Sequence, residues 1–329
     1  MAREETQELN PQPVPKAAVS PMAIWTAMIS VYLVWGSTYL AIRFAVETIP
    51  PFLMAATRFL IAGGILYTWR YFARDARPKK IEWRSAAIVG FFLIVGGNGS
   101  VVWAEQKVPS GIAALLVASA PLWMVLIDLI RPSARKTRAP GGLTILGVVL
   151  GFLGIVLLVG PGQLFGQGEG VDPVGAAVLT LAALSWAIGS LYSRGAKLPA
   201  SPLLGTGMEM LAGGVGLLIL GTLTGEWSRL DLNAISTRSL LSLLYLILFG
   251  SLIGFASYTW LLRVAPTALV STYAYVNPLV AIFVGYFLAG ESLTLRILIA
   301  TAIIIGAVAL ISLTQPLSKK KKEAEVATH

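Results

Sequence analysis

The chain has 329 residues, of which 56% are hydrophobic and 12% charged, with a mean hydropathy of +0.76. A soluble domain carries about 25% charged residues, so the composition excludes a water-exposed surface over most of the chain and points to a polytopic membrane protein. The net charge is +9, but the positives gather in particular connections, which argues for membrane orientation rather than nucleic-acid binding.

Residues 1–21 are polar, with Pro11, Pro13, Pro15 and Pro21 close together. They predict a disordered cytoplasmic tail without the basic start and cleavage site of a signal peptide. Ten apolar runs follow, near 24–45, 52–72, 85–104, 109–130, 142–160, 173–193, 203–224, 238–262, 267–289 and 295–314. Each approaches the roughly 20 residues that a spanning helix needs. In hydrocarbon the backbone must bond to itself, so the runs are expected to be helices; the weak alternation of a barrel is absent. Residues 316–329 form a basic tail, in which Lys319–Lys322 can touch anionic lipid.

Lys and Arg divide unevenly between the two sides. The connection from Arg70 to Arg84 holds six and that from Arg131 to Arg138 four; with both tails and the connections that hold Arg194, Lys197 and Arg263, nineteen fall on the side shared by the termini and five on the other. Positive connections stay in the cytoplasm, so both termini are expected there, in a plasma (bacterial inner) membrane.

An internal repeat organises the spans. Gly97, Ser100, Trp103, Pro109 and Pro121 recur 157 residues later as Gly254, Ser257, Trp260, Pro266 and Pro278. Ala62-Gly63-Gly64 is echoed by Ala212-Gly213-Gly214, and Gly36-Ser37 by Gly189-Ser190. The expected fold is all-α, with ten transmembrane helices as two five-helix repeats over 22–162 and 173–315. Because five is odd, the second copy runs through the membrane inverted. Inverted repeats are a secondary-transporter architecture; a passive channel is the alternative.

Trp35-Gly36-Ser37-Thr38-Tyr39-Leu40-Ala41-Ile42-Arg43 resembles the opening motif of EamA-type proteins of the drug/metabolite transporter superfamily. The resemblance continues through Arg58–Gly64, Pro121-Leu122, Asn277-Pro278-Leu279 and Gly290-Glu291, and covers about residues 24–315. It implies two EamA repeats, a ten-helix inner-membrane carrier and a small-metabolite substrate, often exported. Amino acids and related amines are the first expectation, and a nucleotide sugar or organic anion the second.

Pro121 and Pro278 lie deep in their spans. An interior Pro removes a backbone bond and clashes with the carbonyl four residues earlier, here Val117 and Ala274. Matched interrupted helices point to a transporter site, so a central cavity is expected between spans four and nine; a packing kink is the plainer reading. Helical spacing groups Ser271, Ala274, Tyr275 and Pro278, with Tyr275 opposite Ala118, and Asn277 nearby. Trp35 and Tyr39 share a face of span one as candidate cavity residues. Asn98 is a candidate substrate contact or an interhelical hydrogen bond worth about 0.6 to 2 kcal/mol. Trp103 and Trp260 read first as interfacial anchors and second as gates.

Intramembrane charge is costly and usually functional. Arg58 is expected first to pair with Glu105, and otherwise to draw an anionic group or to snorkel. Glu209 is the carboxylate best placed for proton coupling; Asp128 and Glu291 lie nearer span ends, solvated or capping. The sequence has no Cys, and its single His is His329. No metal ligand set, cofactor motif or catalytic constellation is present, so neither a cofactor nor catalysis is expected. The expected partners are a small-molecule substrate, the lipid bilayer and protons. Gly147 with Gly151, and Gly250 with Gly254, mark helix contacts within a monomer or across a homodimer.

Overall fold

The computed structural model describes residues 20–130, 142–160, 171–265, 267–270 and 272–314. Among them every regular element is helical. Eight helices are long and apolar enough to cross a membrane; Tyr273–Ala289 and Leu295–Ile311 are shorter apolar helices.

Helix α1 is Pro21–Ala45, α2 Pro51–Phe72, α7 Pro173–Ser193 and α8 Pro202–Leu223. Each opens on a proline, where the missing N–H costs nothing and the fixed φ suits a helix start. Between them lie α3 (Lys80–Ala104), α4 (Ser110–Val117), α5 (Ala120–Ile130) and α6 (Gly142–Val159). Helix α9 runs from Thr237 to Val264, followed by the single turn α10 (Thr267–Val270), α11 (Tyr273–Ala289) and α12 (Leu295–Thr314). Large apolar side chains such as Ile61, Ile65, Trp69, Leu153, Phe283 and Phe287 stand exposed on the outside, as they must where the solvent is lipid.

The predicted interruption at Pro121 is present: span four divides into α4 and α5 at Ala118–Ser119. The Ser119 hydroxyl turns back to the Leu116 carbonyl at 2.6 Å, which satisfies an acceptor at the break. Span nine behaves differently. Pro278 lies inside the continuous α11, and the interruption falls earlier, between α10 and α11.

Two features come without sequence warning. The middle of α3, Phe91–Gly99, and the middle of α9, Leu246–Ile253, are π-helices. A π-turn bonds i to i+5 and leaves carbonyls displaced from the ordinary ladder, frequently at functional sites. Side chains occupy those acceptors. Asn98 Nδ2 donates to the Leu93 carbonyl at 3.3 Å. The Ser185 hydroxyl donates to Phe92 at 2.7 Å, and Trp35 Nε1 to Gly250 at 3.2 Å.

The most extensive helix pair is α2 with α8. Gly63 makes the close approach possible. A Cβ there would stand 2.8 Å from Met210 Cβ and 2.9 Å from both the Gly207 carbonyl oxygen and the Leu211 nitrogen. Small residues let membrane helices meet at the backbone. Gly147 and Gly151 serve contacts within the chain, against Ile311 and Leu122.

The ends of this pair are tied by acids. Glu226, fully buried, accepts from the Phe52 N–H at 3.3 Å and the Leu53 N–H at 2.9 Å. It thereby satisfies two of the orphan donors that every helix start carries. At the other end Asp75 accepts from Arg70 Nε at 2.8 Å and Nη2 at 2.6 Å. The Arg70 hydrogen bond, and after it one from Ser201 just ahead of α8, hold the Asp75 carboxyl below its ordinary value of 3.8. A depressed carboxylate contributes stability above its unfolded value and loses it as the pH falls through the folded one. Asp75→Asn is therefore expected to melt below the wild type at neutral pH, and the difference to shrink as the pH falls below the ordinary carboxylate value of 3.8.

Candidate functional site

A cavity of about 130 Å³ lies at the centre of the bundle. That is room for several waters in a region otherwise closed by apolar packing. Helix α1 supplies Trp35, Thr38, Tyr39 and Ile42, and α2 supplies Arg58. Gly97, Asn98 and Val101 come from α3, and Ala114, Val117, Ala118, Pro121 and Met124 from the α4–α5 break. Helix α7 adds Ala182 and Trp186, α9 adds Phe255, and α11 adds Tyr273, Ala274, Asn277 and Pro278.

Local structure explains these placements. The π-turn of α3 widens the helix where Gly97 and Asn98 meet the cavity. The break before Pro121 lets α4 end and α5 begin against it. Helix α11 starts afresh at Tyr273, so its cavity face runs through Tyr273, Ala274, Asn277 and Pro278 at helical spacing.

Part of the lining is aromatic. Trp35 meets Phe255 at 5.2 Å, Tyr258 at 5.0 Å and Tyr273 at 5.4 Å between ring centroids. Tyr258 and Tyr273 stand edge to face at 5.6 Å. Trp186 and Tyr258 lie within hydrogen-bonding reach of the Tyr273 hydroxyl. The lining also carries polar and charged groups. Arg58 is 3% exposed; its Nε donates to the Ser251 hydroxyl at 2.9 Å and its guanidinium lies 4.7 Å from the Phe59 ring centre. Asn277 is buried, and its Oδ1 has no hydrogen-bond partner among the described residues.

The sequence-predicted residues separate into groups. Trp35, Tyr39, Asn98, Pro121, Asn277 and Pro278 come together on the cavity, and Arg58 joins them. Tyr275 is outside the lining, partly buried against the main core; Tyr273 holds the cavity position. Ser271 lies outside the described residues. Trp103 packs against the core with the Lys107 ammonium 5.8 Å from its ring centre, and Trp260 is more than a third exposed; neither reaches the cavity. Glu209 is half-buried on α8 and away from the lining.

The expected direct pair between Arg58 and Glu105 is not formed. No ion pair joins them, and Ser251 takes the Arg58 Nε instead. Glu105 is 3% exposed, and neither carboxylate oxygen has a hydrogen-bond partner of ordinary geometry. It acts on Arg58 as a nearby charge. Its other charged neighbours are Glu291 and Arg43.

Those two form a network at the end of the bundle where α1 finishes and α4 begins. Glu291 pairs with Arg43. It also accepts from the Ser110 N–H at 2.8 Å, the Ser110 hydroxyl at 2.7 Å and the Gly111 N–H at 3.0 Å. Glu291 is thus the cap of α4, placed by a segment 180 residues away in sequence.

Trp186, Phe255, Met124 and Thr38 line the cavity without having been singled out by the sequence. For Trp186 a signal exists: it stands 151 residues after Trp35, as Arg194 does after Arg43. That register differs from the 157-residue one because the connections of the two halves differ in length.

The model of the EamA-like transporter family matches residues 22–160 and again residues 173–313. The chain is 39% identical over 294 residues to an uncharacterized inner membrane transporter, YedA, of Escherichia coli K12, covering 89% of this chain and 91% of that one. It is 26% identical to the protein PecM of Dickeya dadantii, over 88% and 92% of the two chains. A solved crystal structure superposes with a TM-score of 0.59 at 20% identity, over 89% of this chain and 99% of the other; that is a likeness of fold.

Proposed function

The chain belongs to the EamA-like transporter family, a family of membrane transporters, and from that premise we propose that it is a secondary-active carrier of small metabolites, with amino acids and amines as the substrates to try first. One observation carries the reading. The cavity is lined from both family-matched segments: Trp35, Tyr39, Arg58 and Asn98 from the first, Trp186, Phe255, Tyr273 and Asn277 from the second. Transporter sites lie at the interface of inverted repeats, near the bilayer midplane. On this reading each segment is a five-helix repeat and the second is inverted. Rocking one against the other exposes the cavity to each side in turn.

The excess of Lys and Arg on the side of both termini makes that side cytoplasmic. The Arg43–Glu291–Ser110 network then lies on the outer side. It ties α1 to α4 and to the connection ahead of α12, closing the cavity outwards. An exporter loading from the cytoplasm waits in such a state.

Counterflow in proteoliposomes tests the carrier. Saturable exchange of at least one labelled amino acid or amine is expected in the wild type. Ala118→Trp, which fills the cavity from a buried alanine on its wall, is expected to lower it at least tenfold without preventing folding. Non-saturating flux with no counterflow would instead describe a channel.

A further inference from the structure

The charges around the cavity do not balance in the way a merely structural network would. Arg43 is neutralised by Glu291, and Glu291 is saturated by that pair and by Ser110 and Gly111. This leaves Arg58 and Glu105 as opposite charges that share a buried region without touching. Arg58 presents its guanidinium to the cavity, with only Nε hydrogen-bonded by protein among the described residues. Glu105 is not part of the cavity lining, and both its oxygens are buried without a hydrogen bond of ordinary geometry, the Arg43 backbone N–H being the donor that acts on it. A buried ionised carboxylate so poorly hydrogen-bonded is tolerated only while nearby cations compensate it.

An anion entering the cavity changes that compensation. Once a substrate carboxylate engages the free Nη groups of Arg58, that cation is shared between two anions, while Arg43, the other cation acting on Glu105, is already paired with Glu291. The network then carries a surplus negative charge away from bulk water. The groups that face Glu105 are Tyr39 and Arg43 from α1, Arg58 from α2 and Glu291 from the connection ahead of α12; Lys107, two residues on, is held over Trp103. None supplies a second free cation at the cavity. The cheapest adjustment is uptake of one proton by Glu105. In the same lining, the Trp35–Phe255–Tyr273 cluster offers an apolar surface for the rest of the molecule.

Resting on the carrier reading and deepening it, we propose that Arg58 is the receptor for the carboxylate of an amphipathic monocarboxylate and that Glu105 is protonated as that carboxylate docks. The balance is simple. The ligand carboxylate stays ionised on Arg58, one proton passes from water to a Glu105 oxygen, and the loaded site carries the same net charge as the empty one. A carboxylate and a proton then move together. Such linkage requires apparent affinity to fall about tenfold per pH unit once Glu105 is ionised in the empty protein.

Calorimetric titration of the full chain in detergent tests this, with 3-phenylpropionate and phenethylamine as probes of similar apolar body and opposite charge. Running the titration in two buffers of different ionisation enthalpy counts the protons taken up. The wild type is expected to bind 3-phenylpropionate at least tenfold more tightly than phenethylamine, with about one proton taken up at alkaline pH. Glu105→Gln is expected to bind the acid at least as tightly while taking up no proton. Arg58→Gln is expected to lose at least tenfold in affinity; Arg58→Lys, which keeps the charge, is expected to recover part of it if its melting temperature matches the wild type. Proton uptake that persists in Glu105→Gln would overturn the proposal. So would equal affinity for the two probes, or a wild type that binds neither. Saturable counterflow without proton-linked binding would sink this inference and leave the carrier standing; proton-linked binding without counterflow would do the reverse.

Discussion

Glu226→Ala is expected to lower the stability of the folded protein by about 2–5 kcal/mol, read as a drop in the thermal unfolding midpoint in detergent. Glu226 is fully buried and takes the N–H groups of Phe52 and Leu53. Its removal strands both donors at a buried helix start, at about 1–3 kcal/mol each, and removes a negative charge from the positive end of the α2 dipole. The partner Arg229, at 3.4 Å, has a side chain 57% exposed, so its loss adds little. Glu226→Gln keeps one acceptor and is expected to retain about half of the effect. An unchanged midpoint in Glu226→Ala would show that other groups satisfy the start of α2.

Gly63→Val is expected to force apart the most extensive helix pair of the bundle, α2 with α8. The added Cβ meets the Gly207 carbonyl oxygen and the Leu211 nitrogen at 2.9 Å, backbone atoms that cannot swing aside. Overpacking of this kind costs about 1–3 kcal/mol even where side chains can yield; here the two most extensively packed helices must separate. Gly63→Ala is expected to show the lower part of that range. The neighbouring glycine is the control: a Cβ on Gly64 has no atom within 4 Å. Gly64→Ala is expected to be neutral or to stabilise by up to about 1 kcal/mol from helix propensity alone. Equal melting of Gly63→Ala and Gly64→Ala would remove the close approach as the basis of the α2–α8 pair.

Much of the helical layout is legible in the residues because lipid imposes one rule on every span. Hydropathy places α6 and α7 within a residue of their observed ends, and the proline rule locates the α4–α5 break. The π-helices are not legible: Phe91–Gly99 has the composition of an ordinary spanning helix, and its Asn98 and Ser185 bonds become visible only in three dimensions. Periodicity also fails at α11. The spacing that grouped Tyr275 with Pro278 assumes one helix through residues 267–289. The turn at Thr272 resets the start at Tyr273 and turns that side chain to the cavity. Arg58 was recognisable as an intramembrane charge, but its partner was not. Ser251 lies 193 residues away on a π-turn, and an expectation built on charge alone selects Glu105.

The long-range caps have a meaning for how the chain is made. Phe52 and Leu53 wait for Glu226, and Ser110 and Gly111 wait for Glu291. A ribosome adds about 5–20 residues per second, so each of these helix starts is exposed for roughly 10 to 35 seconds before its acceptor has been synthesised. During that interval the first segment can be threaded into the bilayer but not completed. Its N–H groups must borrow water or a helper protein until the second segment arrives. Biogenesis is therefore bound to a sequence of events in which the early half is finished by the late one. A ribosome that stops short of Glu226 leaves an intermediate for quality control to recognise by its unsatisfied helix ends.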